Sequence, residues 1–416
     1  MSGKMRILIV TQYFWPENFR INELVSTLHR EGVDVTVLTG KPNYPSGKIF
    51  SGYKVAGIQR EMFSGVEVIR LPLVPRGNGS PWGLLLNYLS FIFSGYFFAP
   101  FALRHKKFDA VFVYAPSPLL QALPAIFVAW IKSVPLIIWV QDIWPEVLQA
   151  TGVIKNRWLL RLVELAVRYI YRSADSILIQ SEAFRPSVER FTKDNRKIRF
   201  YPNSAEDFLS CSNAGHPPSE VAVDIGRNFT VVFAGNIGSV QSCNTIISAA
   251  KLLQEFPQIK FYLVGGGSQA AAIALDIESN NLDNVVMTGQ LHPDEMPSIF
   301  AAASVLLITL ADAPALAATI PSKVQSYLSA GKPIIASMNG EGARVLRDAN
   351  VGIVCPAGDA AALANAVNQL YMMSPDQRIH LGQNGHQYFK AHFDMTERTR
   401  ELIAHFEKIS SESRSQ

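Results

Sequence analysis

The sequence predicts an α/β protein made of two Rossmann-like, doubly wound domains that face a central cleft. Along both halves of the 416 residues, short apolar runs typical of buried parallel strands alternate with amphipathic runs of helical length. A polar, turn-rich segment at residues 205–228 separates the halves. Hydrophobic residues make up 48% of the chain, which is enough to fill two sizeable cores. We therefore expect domains at residues 1–204 and 229–390, joined by a linker.

In the first half, apolar runs bounded by turn residues predict strands. They lie at residues 5–11, 33–39, 67–73, 110–114, 135–140, 176–180 and 199–201. Residues 19–31 predict a helix because Ile21, Leu24 and Leu28 recur at helical spacing. A further helix is predicted over residues 156–171. Loops that leave the carboxyl ends of such strands form the ligand crevice of this fold class.

The second half repeats this alternation of strands and helices. Strands are predicted at residues 230–234, 259–264, 284–288, 305–309 and 333–337. Helices are predicted at residues 243–255, 268–279, 323–330, 359–372, 375–389 and 395–409. Residues 391–416 are predicted to form a C-terminal helix and tail. This segment either crosses back to the first domain or covers the second sheet.

The charges are unevenly divided between the halves. Residues 1–205 hold 25 Lys and Arg against 14 Asp and Glu, whereas residues 206–416 hold 13 against 20. A basic half predicts contact with an anionic surface, either nucleic acid or phospholipid. The sequence contains no recognised nucleic-acid motif, which favours phospholipid.

An uncharged stretch of 22 residues, 82–103, is long enough to span a bilayer. A single crossing would leave the strands before and after it on opposite sides of the membrane. The prediction is therefore a helix in the membrane interface, with a buried core helix and a membrane span as the alternatives. Residues 5–11 are too short for a signal peptide and predict a buried strand, so we expect the chain to start in the cytoplasm.

Basic and aromatic residues near this stretch predict a peripheral contact with the inner face of the membrane. The arginines of the helix at 156–171 are spaced by four, seven and four residues, which gathers them on one face. A solvated surface is the ordinary alternative for such a row. The predicted membrane and acceptor contacts are Trp82, Arg104, Lys106, Lys107, Arg157, Arg161, Arg168 and Arg172.

Residues 319–359 contain two helix starts that predict a phosphate site. Pro321 and Ser322 open a helix, and Lys323 in its first turn is the wrong charge for the helix dipole. A bound anion beside Lys323 would resolve this conflict. The alternative is a solvated surface lysine. The turn at 340–342, Gly-Glu-Gly, starts the next helix.

Other strand-to-helix turns carry glycines or a carboxylate. The loop at 235–241 and the glycine turn at 264–267 would let phosphate approach the backbone. Asp142 follows a buried strand, where an unused carboxylate would cost stability, so it is the leading catalytic candidate. A helix N-cap is the alternative interpretation of Asp142.

The motif PSK-x-x-x-Y-x-x-x-GKP-I-I-A-S at residues 321–337, followed by GEGA and G-I-V-x-P-x-G-D, resembles the nucleotide-sugar-binding segment of retaining GT-B glycosyltransferases of family four. It is similar, more narrowly, to O-antigen and capsule enzymes that transfer N-acetyl-fucosamine-type sugars. The resemblance runs from about residue 5 to residue 406. The family's pair of glutamates is replaced by Ala318 and Ser326, so Glu341 is the substitute candidate, with a dipole-stabilising glutamate as the alternative.

The resemblance implies a set of site residues. Catalytic roles fall to Asp142, Lys323 and Arg20, where the Arg20 side chain would replace a glycine loop that approaches the donor diphosphate; a surface arginine is the alternative. By analogy, uracil is expected near Gly289 and Gln290. The implied donor-binding residues are Asn18, Asn236, Gly238, Gln241, Gly265, Gly289, Pro321, Ser322, Tyr327, Gly340, Glu341 and Gly342.

The function that the resemblance implies is transfer of a hexosamine-type sugar from a UDP donor to a polyprenyl-diphosphate-linked sugar, in O-antigen, capsule or exopolysaccharide synthesis. The UDP-sugar is a substrate, and no cofactor or metal is expected because no Asp-x-Asp motif occurs. The three cysteines are widely spaced and odd in number, which is typical of a reducing compartment.

Two other functions remain open. A UDP-sugar epimerase shares the two-domain fold, although acid or base residues in both halves would then be expected. A catalytically idle, membrane-bound assembly partner is the other possibility, because of Ala318 and Ser326.

Overall fold

The computed structural model describes residues 4–150, 156–211 and 219–414. The chain divides into two compact units, one of Met1–Pro202 with Met395–Gln416 and one of Asn203–Asp394. Of the predicted linker and tail, residues 212–218 and 415–416 lie outside the described residues.

The first unit is built on an eight-stranded sheet in the order β3-β4-β2-β1-β5-β6-β7-β8. Its strands are β1 (Arg6–Val10), β2 (Asp34–Thr39), β3 (Gln59–Phe63), β4 (Val66–Arg70), β5 (Ala110–Ala115), β6 (Leu136–Val140), β7 (Ser176–Ile179) and β8 (Ile198–Phe200). Neighbouring strands are parallel except β3 and β4. The winding direction reverses between β1 and β5, whose side chains form the buried centre of the sheet.

Helices connect these strands. They are α1 (Ile21–Arg30), α2 (Pro81–Ala102), α3 (Ala122–Lys132), α4 (Glu146–Ala150), α5 (Arg157–Ser173) and α6 (Arg185–Glu189). Helix α2 begins at Ser80, whose Oγ accepts a hydrogen bond from the Gly83 N–H (3.2 Å). In the described part of the chain, α2 is the one helix whose length and composition would allow a membrane crossing, although only a third of its most apolar window is buried.

The second unit contains a six-stranded, all-parallel sheet in the order β11-β10-β9-β12-β13-β14. The strands are β9 (Phe229–Ala234), β10 (Ile259–Val264), β11 (Val285–Gly289), β12 (Val305–Thr309), β13 (Ile334–Ser337) and β14 (Gly352–Cys355). This is the strand order of dinucleotide-binding folds, with its reversal between β9 and β12. The prediction of two Rossmann-like parallel sheets is confirmed.

Helices cover both faces of this sheet over two apolar cores. They are α7 (Phe208–Cys211), α8 (Glu220–Ile225), α9 (Cys243–Leu252), α10 (Ala270–Ser279), α11 (Met296–Ala302), α12 (Pro314–Ala317), α13 (Ser322–Ser329), α14 (Glu341–Asp348), α15 (Ala360–Met372) and α16 (Pro375–His392).

The last helix, α17 (Met395–Arg414), belongs to the first unit. Its Phe406 ring lies 5.3 Å from the Phe112 ring in the core of that unit. His405 forms a hydrogen bond with Ser176 Oγ (2.8 Å) through Nε2. Burial, together with the nearby charge of Arg199, lowers the pKa of His405 to about 4, so the imidazole is neutral near pH 7. The chain therefore returns to its first sheet through both apolar and polar contacts.

Strand β3 was not among the predicted strands. Its sequence, QREMF, is polar and alternates between half-buried and exposed positions. It pairs with β4 across a turn in which Ser64 and Gly65 both have positive φ (47° and 84°), the conformation of a tight hairpin. An antiparallel edge strand with water on one face lacks the continuous apolar run that predicted the other strands.

Candidate functional site

The carboxyl ends of β9, β10 and β11 form one bonded set of glycine turns. The Gly235 N–H donates to Val264 O, and the Gly265 N–H donates to Gly289 O, both at 2.8 Å. A Cβ on Gly265 would lie 2.0 Å from Gly235 O, so the two backbones can approach this closely only without a side chain. Three of the loops predicted to bind the donor are therefore adjacent.

The turn that contains Asn236, Gly238 and Gln241 joins this set to β12. Asn236 Nδ2 donates to Gln241 Oε1 (3.4 Å), and a Cβ on Gly238 would lie 2.7 Å from Asn236 Nδ2. Gln241 O accepts a hydrogen bond from Thr309 Oγ1 (2.6 Å). The turn thus closes over the point where the winding of the second sheet reverses, which is where ligands bind in this fold class.

Lys323 lies directly beneath the first glycine turn. A Cβ on Gly235 would be 2.7 Å from Lys323 Cε and 3.0 Å from Nζ, and Nζ is 3.4 Å from the centre of the Phe233 ring. Among the described residues, no hydrogen-bond partner reaches this buried Nζ. Burial lowers the pKa of Lys323 to about 7. The amine is thus half protonated near pH 7, and no carboxylate among the described residues pairs with it. A bound anion would favour the charged form, so the arrangement suits anion binding.

The rest of the predicted Pro-Ser-Lys helix start surrounds Lys323. Pro321 is the N-cap residue of α13, and Ser322 is exposed. Tyr327 is buried, and its hydroxyl donates to Ala234 O (3.2 Å) and accepts from the Ala234 N–H (2.8 Å). The structure therefore places Tyr327 below the site, where it fixes the end of β9.

The second helix start packs against the first. Gly340 has φ +84°, and a Cβ there would lie 2.0 Å from Ala317 O. A Cβ on Gly342 would lie 2.9 Å from Pro321 Cδ. Glu341 forms an ion pair with Arg344 (3.1 Å). All the donor-binding residues predicted in the second half thus lie at the carboxyl edge of one sheet.

In the first unit, Asp142 lies at the carboxyl end of β6. Its Oδ2 accepts hydrogen bonds from the Ser117 N–H (2.9 Å) and Ser117 Oγ (2.7 Å), and Trp144 Nε1 donates to the same Ser117 Oγ (3.1 Å). Ser117 follows β5, so the carboxylate is held between two loops. Ser117 could not be predicted, because an isolated serine in a proline-rich loop carries no distinguishing pattern.

Asn18 and Arg20 lie in the loop after β1. Asn18 is exposed, and Arg20 Nη1 pairs with Glu23 Oε2 (2.9 Å). The buried carboxylate of this loop is Glu17, which is 2% exposed and accepts hydrogen bonds from the N–H groups of Asn43 (2.8 Å) and Tyr44 (2.7 Å). Glu17 ties the loops after β1 and β2 together, a long-range role that its local sequence does not signal.

The predicted membrane contacts lie on α2, on the segment directly after it and on α5, all in the first unit. Within α5, Arg157, Arg161 and Arg172 are exposed, whereas Arg168 is half-buried with its guanidinium 5.9 Å from the Phe191 ring. Beside the arginines, an exposed apolar stripe runs along α5. It consists of Trp158, Leu162, Leu165 and Tyr169.

Helix α2 presents a second apolar stripe, and α3 adds two more exposed apolar residues. These residues are Trp82, Leu86, Phe93, Phe97, Phe101, Trp130 and Ile131. After the end of α2, Arg104 stacks on Phe101 (4.2 Å), Lys106 pairs with Glu67 (2.6 Å), and Lys107 is exposed. Exposed apolar surface of this extent is unusual in a monomeric soluble protein.

Within residues 4–150, 156–211 and 219–414, no group of three or more His, Cys, Asp or Glu side chains is arranged to hold a metal ion. At the carboxyl edge of the second sheet, Lys323 and the helix N-termini at residues 322 and 341 offer positive charge to a phosphate.

Two family models match the chain. The model described as glycosyl transferases group 1 matches residues 228–373, and the model described as glycosyl transferase 4-like domain matches residues 18–204. Each match covers most of one of the two sheets.

Relatives and solved structures agree with these matches. The probable glycosyltransferase WbjE of Pseudomonas aeruginosa is 26% identical over 71% of this chain and 74% of its own length. The putative colanic acid biosynthesis glycosyl transferase WcaI of Escherichia coli is 25% identical over 79% of this chain and 82% of its own length. HepE of Anabaena, solved in complex with UDP, superposes with a TM-score of 0.68 at 15% identity, over 97% of this chain and 100% of that one. At this low identity, the structural likeness indicates the fold alone.

Proposed function

Because the chain belongs to the group 1 glycosyl transferases and has the GT-B fold, we propose that it is a retaining enzyme of cell-surface polysaccharide synthesis. In this proposal it transfers a hexosamine-type sugar, such as N-acetyl-fucosamine, from a UDP donor to a polyprenyl-diphosphate-linked sugar. The names of its relatives support the pathway class, since WcaI is assigned to colanic acid biosynthesis and another relative is an O-antigen chain mannosyltransferase.

The observation that carries the proposal is the buried Nζ of Lys323, which lies beneath the glycine turns and has no hydrogen-bond partner among the described residues. A nucleotide-sugar donor leaves a diphosphate behind, and its charge grows as the glycosidic bond breaks. A cation fixed in a site that excludes water stabilises this charge strongly. The α13 and α14 N-termini and the Gly235–Gly265 backbone would receive the remaining phosphate oxygens.

In the proposed mechanism, the departing phosphate accepts the proton of the attacking hydroxyl on the same face of the sugar, which retains the anomeric configuration. Asp142 would orient a sugar hydroxyl, and Arg20 would supply a second cation for the diphosphate. No side-chain nucleophile takes part, and the UDP-sugar enters as a substrate without a cofactor or metal ion.

The test is transfer by the full-length protein from a panel of UDP-hexosamines to a synthetic sugar on a prenyl diphosphate. We expect one donor to give a product of the mass of acceptor plus sugar, and NMR of that product to show the donor's own α or β configuration. An inverted linkage would contradict the retaining mechanism. An epimerised donor formed without acceptor, or no turnover despite tight UDP binding, would contradict sugar transfer.

We also propose that the first unit binds the inner face of the cell membrane. The apolar stripes of α2 and α5 would lie in the headgroup boundary, where exposed tryptophans such as Trp82 and Trp158 are favourable. The arginine row beside the α5 stripe would contact anionic lipid. This arrangement brings the enzyme to an acceptor that is itself anchored in the bilayer.

Replacing Arg157, Arg161 and Arg172 with glutamine is expected to weaken binding to vesicles that contain phosphatidylglycerol about 100-fold, at about 1 kcal/mol for each cation. Vesicle sedimentation at fixed ionic strength measures this. Replacing Arg227, Arg344 and Arg347 of the second unit, which removes the same charge, serves as the control. Equal loss in both triple variants would mean that net charge, and not this surface, governs binding.

The affinity for a nucleotide sugar is expected to fall with rising pH. The pKa of unliganded Lys323 is about 7, and a bound diphosphate diester, which keeps its charge across this range, would raise it. Binding therefore requires the protonated amine: affinity is constant below pH 7 and falls about tenfold per unit above it. Calorimetry with UDP-N-acetylglucosamine should show a loss of about 30-fold between pH 6 and 8.5, and a Lys323→Met variant should show a flat profile.

A further inference from the structure

Three loops at the carboxyl edge of the first sheet are fastened together around Asn43. Asn43 is fully buried; its N–H donates to Glu17 Oε1, and its Oδ1 accepts from the Arg76 N–H (3.1 Å). The Gly77 N–H donates to Gly47 O (3.0 Å). The loops that follow β1, β2 and β4 therefore form a single bonded platform, which fixes the backbone position of Arg76.

Aromatic rings cover this platform. The Tyr13 and Phe19 rings are stacked at 5.2 Å, and the Tyr44 ring lies 5.4 Å from Phe19. Tyr44 is 39% exposed, so part of the cluster faces solvent. The flat apolar faces of such rings are the surfaces on which the C–H faces of a sugar pack.

Arg76 lies against this cluster, with its guanidinium carbon 5.0 Å from the centre of the Tyr44 ring. Among the described residues, Arg76 has no ion-pair partner, unlike Arg60 and Arg70 of the neighbouring strands. A stacked, unpaired guanidinium keeps its hydrogen-bond donors available to phosphate oxygens.

Tyr88 is a half-buried residue of α2. Burial is the main reason that the pKa of Tyr88 is raised; the charge of Arg76 opposes the shift, and the carboxylate of Asp142 adds to it. Both charges therefore act on the same phenol.

The exposed apolar stripe of α2 begins next to Arg76. Ser80, four residues on, is the N-cap of α2, and Trp82 in its first turn is 75% exposed. A phosphate held at Arg76 would thus have an apolar surface on one side and an aromatic, hydroxyl-bearing surface on the other. This succession matches a lipid tail, a phosphate and a sugar in that order.

We infer that Arg76 binds the phosphate of a lipid-linked sugar and that the Tyr13–Phe19–Tyr44 cluster receives its sugar. The inference rests on the proposed function, which it deepens by assigning the acceptor site. The lipid tail runs along α2, and the sugar lies against the ring cluster. Arg76 is a binding residue in this assignment and takes no part in bond breaking.

The experiment is calorimetry on the full chain with three probes: farnesyl-diphosphate-linked N-acetylglucosamine, farnesyl diphosphate and inorganic pyrophosphate. Arg76→Gln should weaken binding of both farnesyl probes at least tenfold, since it removes a charge-assisted contact. Phe19→Leu, which keeps an apolar side chain but removes the ring face, should weaken the sugar-bearing probe alone, by about fivefold. Arg30→Gln, at the far end of α1, is the matched control and should change neither.

The affinity for UDP should be the same in all these proteins, which shows that the second unit is intact. Unchanged farnesyl-probe binding by Arg76→Gln would overturn the inference, as would wild-type protein that binds UDP but no farnesyl probe. If Arg76→Gln instead lowers only binding to phosphatidylglycerol vesicles, Arg76 serves a phospholipid and the assignment is wrong. If the farnesyl probes bind in a way that depends on Arg76 but no sugar is transferred, the assignment of the binding site is supported and the proposed function is contradicted.

Discussion

Lys323→Met is expected to lower kcat on the order of 10³-fold while the protein remains folded and equally or more stable. The activity falls because the leaving diphosphate loses a cation in a buried site, where one such contact contributes 10²–10³-fold or more. The stability of the fold is expected to stay the same or to rise. The Nζ atom has no hydrogen-bond partner among the described residues, so its removal relieves the free-energy cost of burying an unpaired polar group. Methionine keeps the length and apolar contacts of the side chain.

Lys251→Met is the matched control, since Lys251 is a surface lysine of the same unit paired with Asp276 (3.3 Å). It should leave kcat unchanged. Thermal melts and single-turnover transfer rates measure the two effects of Lys323→Met. A folded Lys323→Met enzyme with a normal transfer rate would remove the phosphate role of Lys323, and a large drop in melting temperature would show that the lysine is structural.

Asp142→Asn is expected to reduce kcat on the order of 10³-fold with little change in the affinity for UDP. The amide keeps the shape of the side chain but loses the charge that orients and polarises a sugar hydroxyl, and one preorganised electrostatic contact of this kind contributes about 10²–10³-fold. Steady-state transfer assays with the best donor measure kcat, and calorimetry measures UDP binding.

Ser117→Ala provides the comparison for Asp142. It removes the Oγ donor to Asp142 (2.7 Å) but keeps the Ser117 N–H donor (2.9 Å), so about a tenfold reduction is expected from the loss of one charge-assisted bond. If Asp142→Asn reduces the melting temperature as strongly as the rate, the carboxylate mainly fastens two loops. An undiminished rate in the folded variant would exclude a role in transfer.

The positions of the helix starts and glycine turns of the second domain could be predicted because they depend on local patterns. Glycines at 235, 265 and 340 have positive φ in the structure. A strand, such a glycine turn and the start of a helix follow one another closely in the sequence, so a short window of residues predicts them. Strand β3 and the buried Glu17 could not be predicted in this way, since an edge strand needs its partner and Glu17 needs N–H groups from residues 43 and 44.

The same distinction applies to the basic surface. Sequence spacing placed Arg157, Arg161, Arg168 and Arg172 on one face of a helix, but it could not show that Arg168 faces the Phe191 ring or that the neighbouring apolar stripe is left exposed. The side of an amphipathic helix that meets the core depends on which apolar surface of the sheet it packs against. Helix periodicity alone does not specify that surface.

The sequence was sufficient for two parallel sheets and for the identity of the loops at their carboxyl edges, because burial on both faces requires continuous apolar strands and turns require glycine or proline. The chemical state of the site depended on folding. The packing of β9, its glycine turn and α13 shields the Lys323 Nζ from water and leaves it without a hydrogen-bond partner in the described part of the chain. The meeting of three loops places Arg76 beside aromatic rings. Desolvation and charge proximity are properties of distant residues brought together, and no local pattern encodes them.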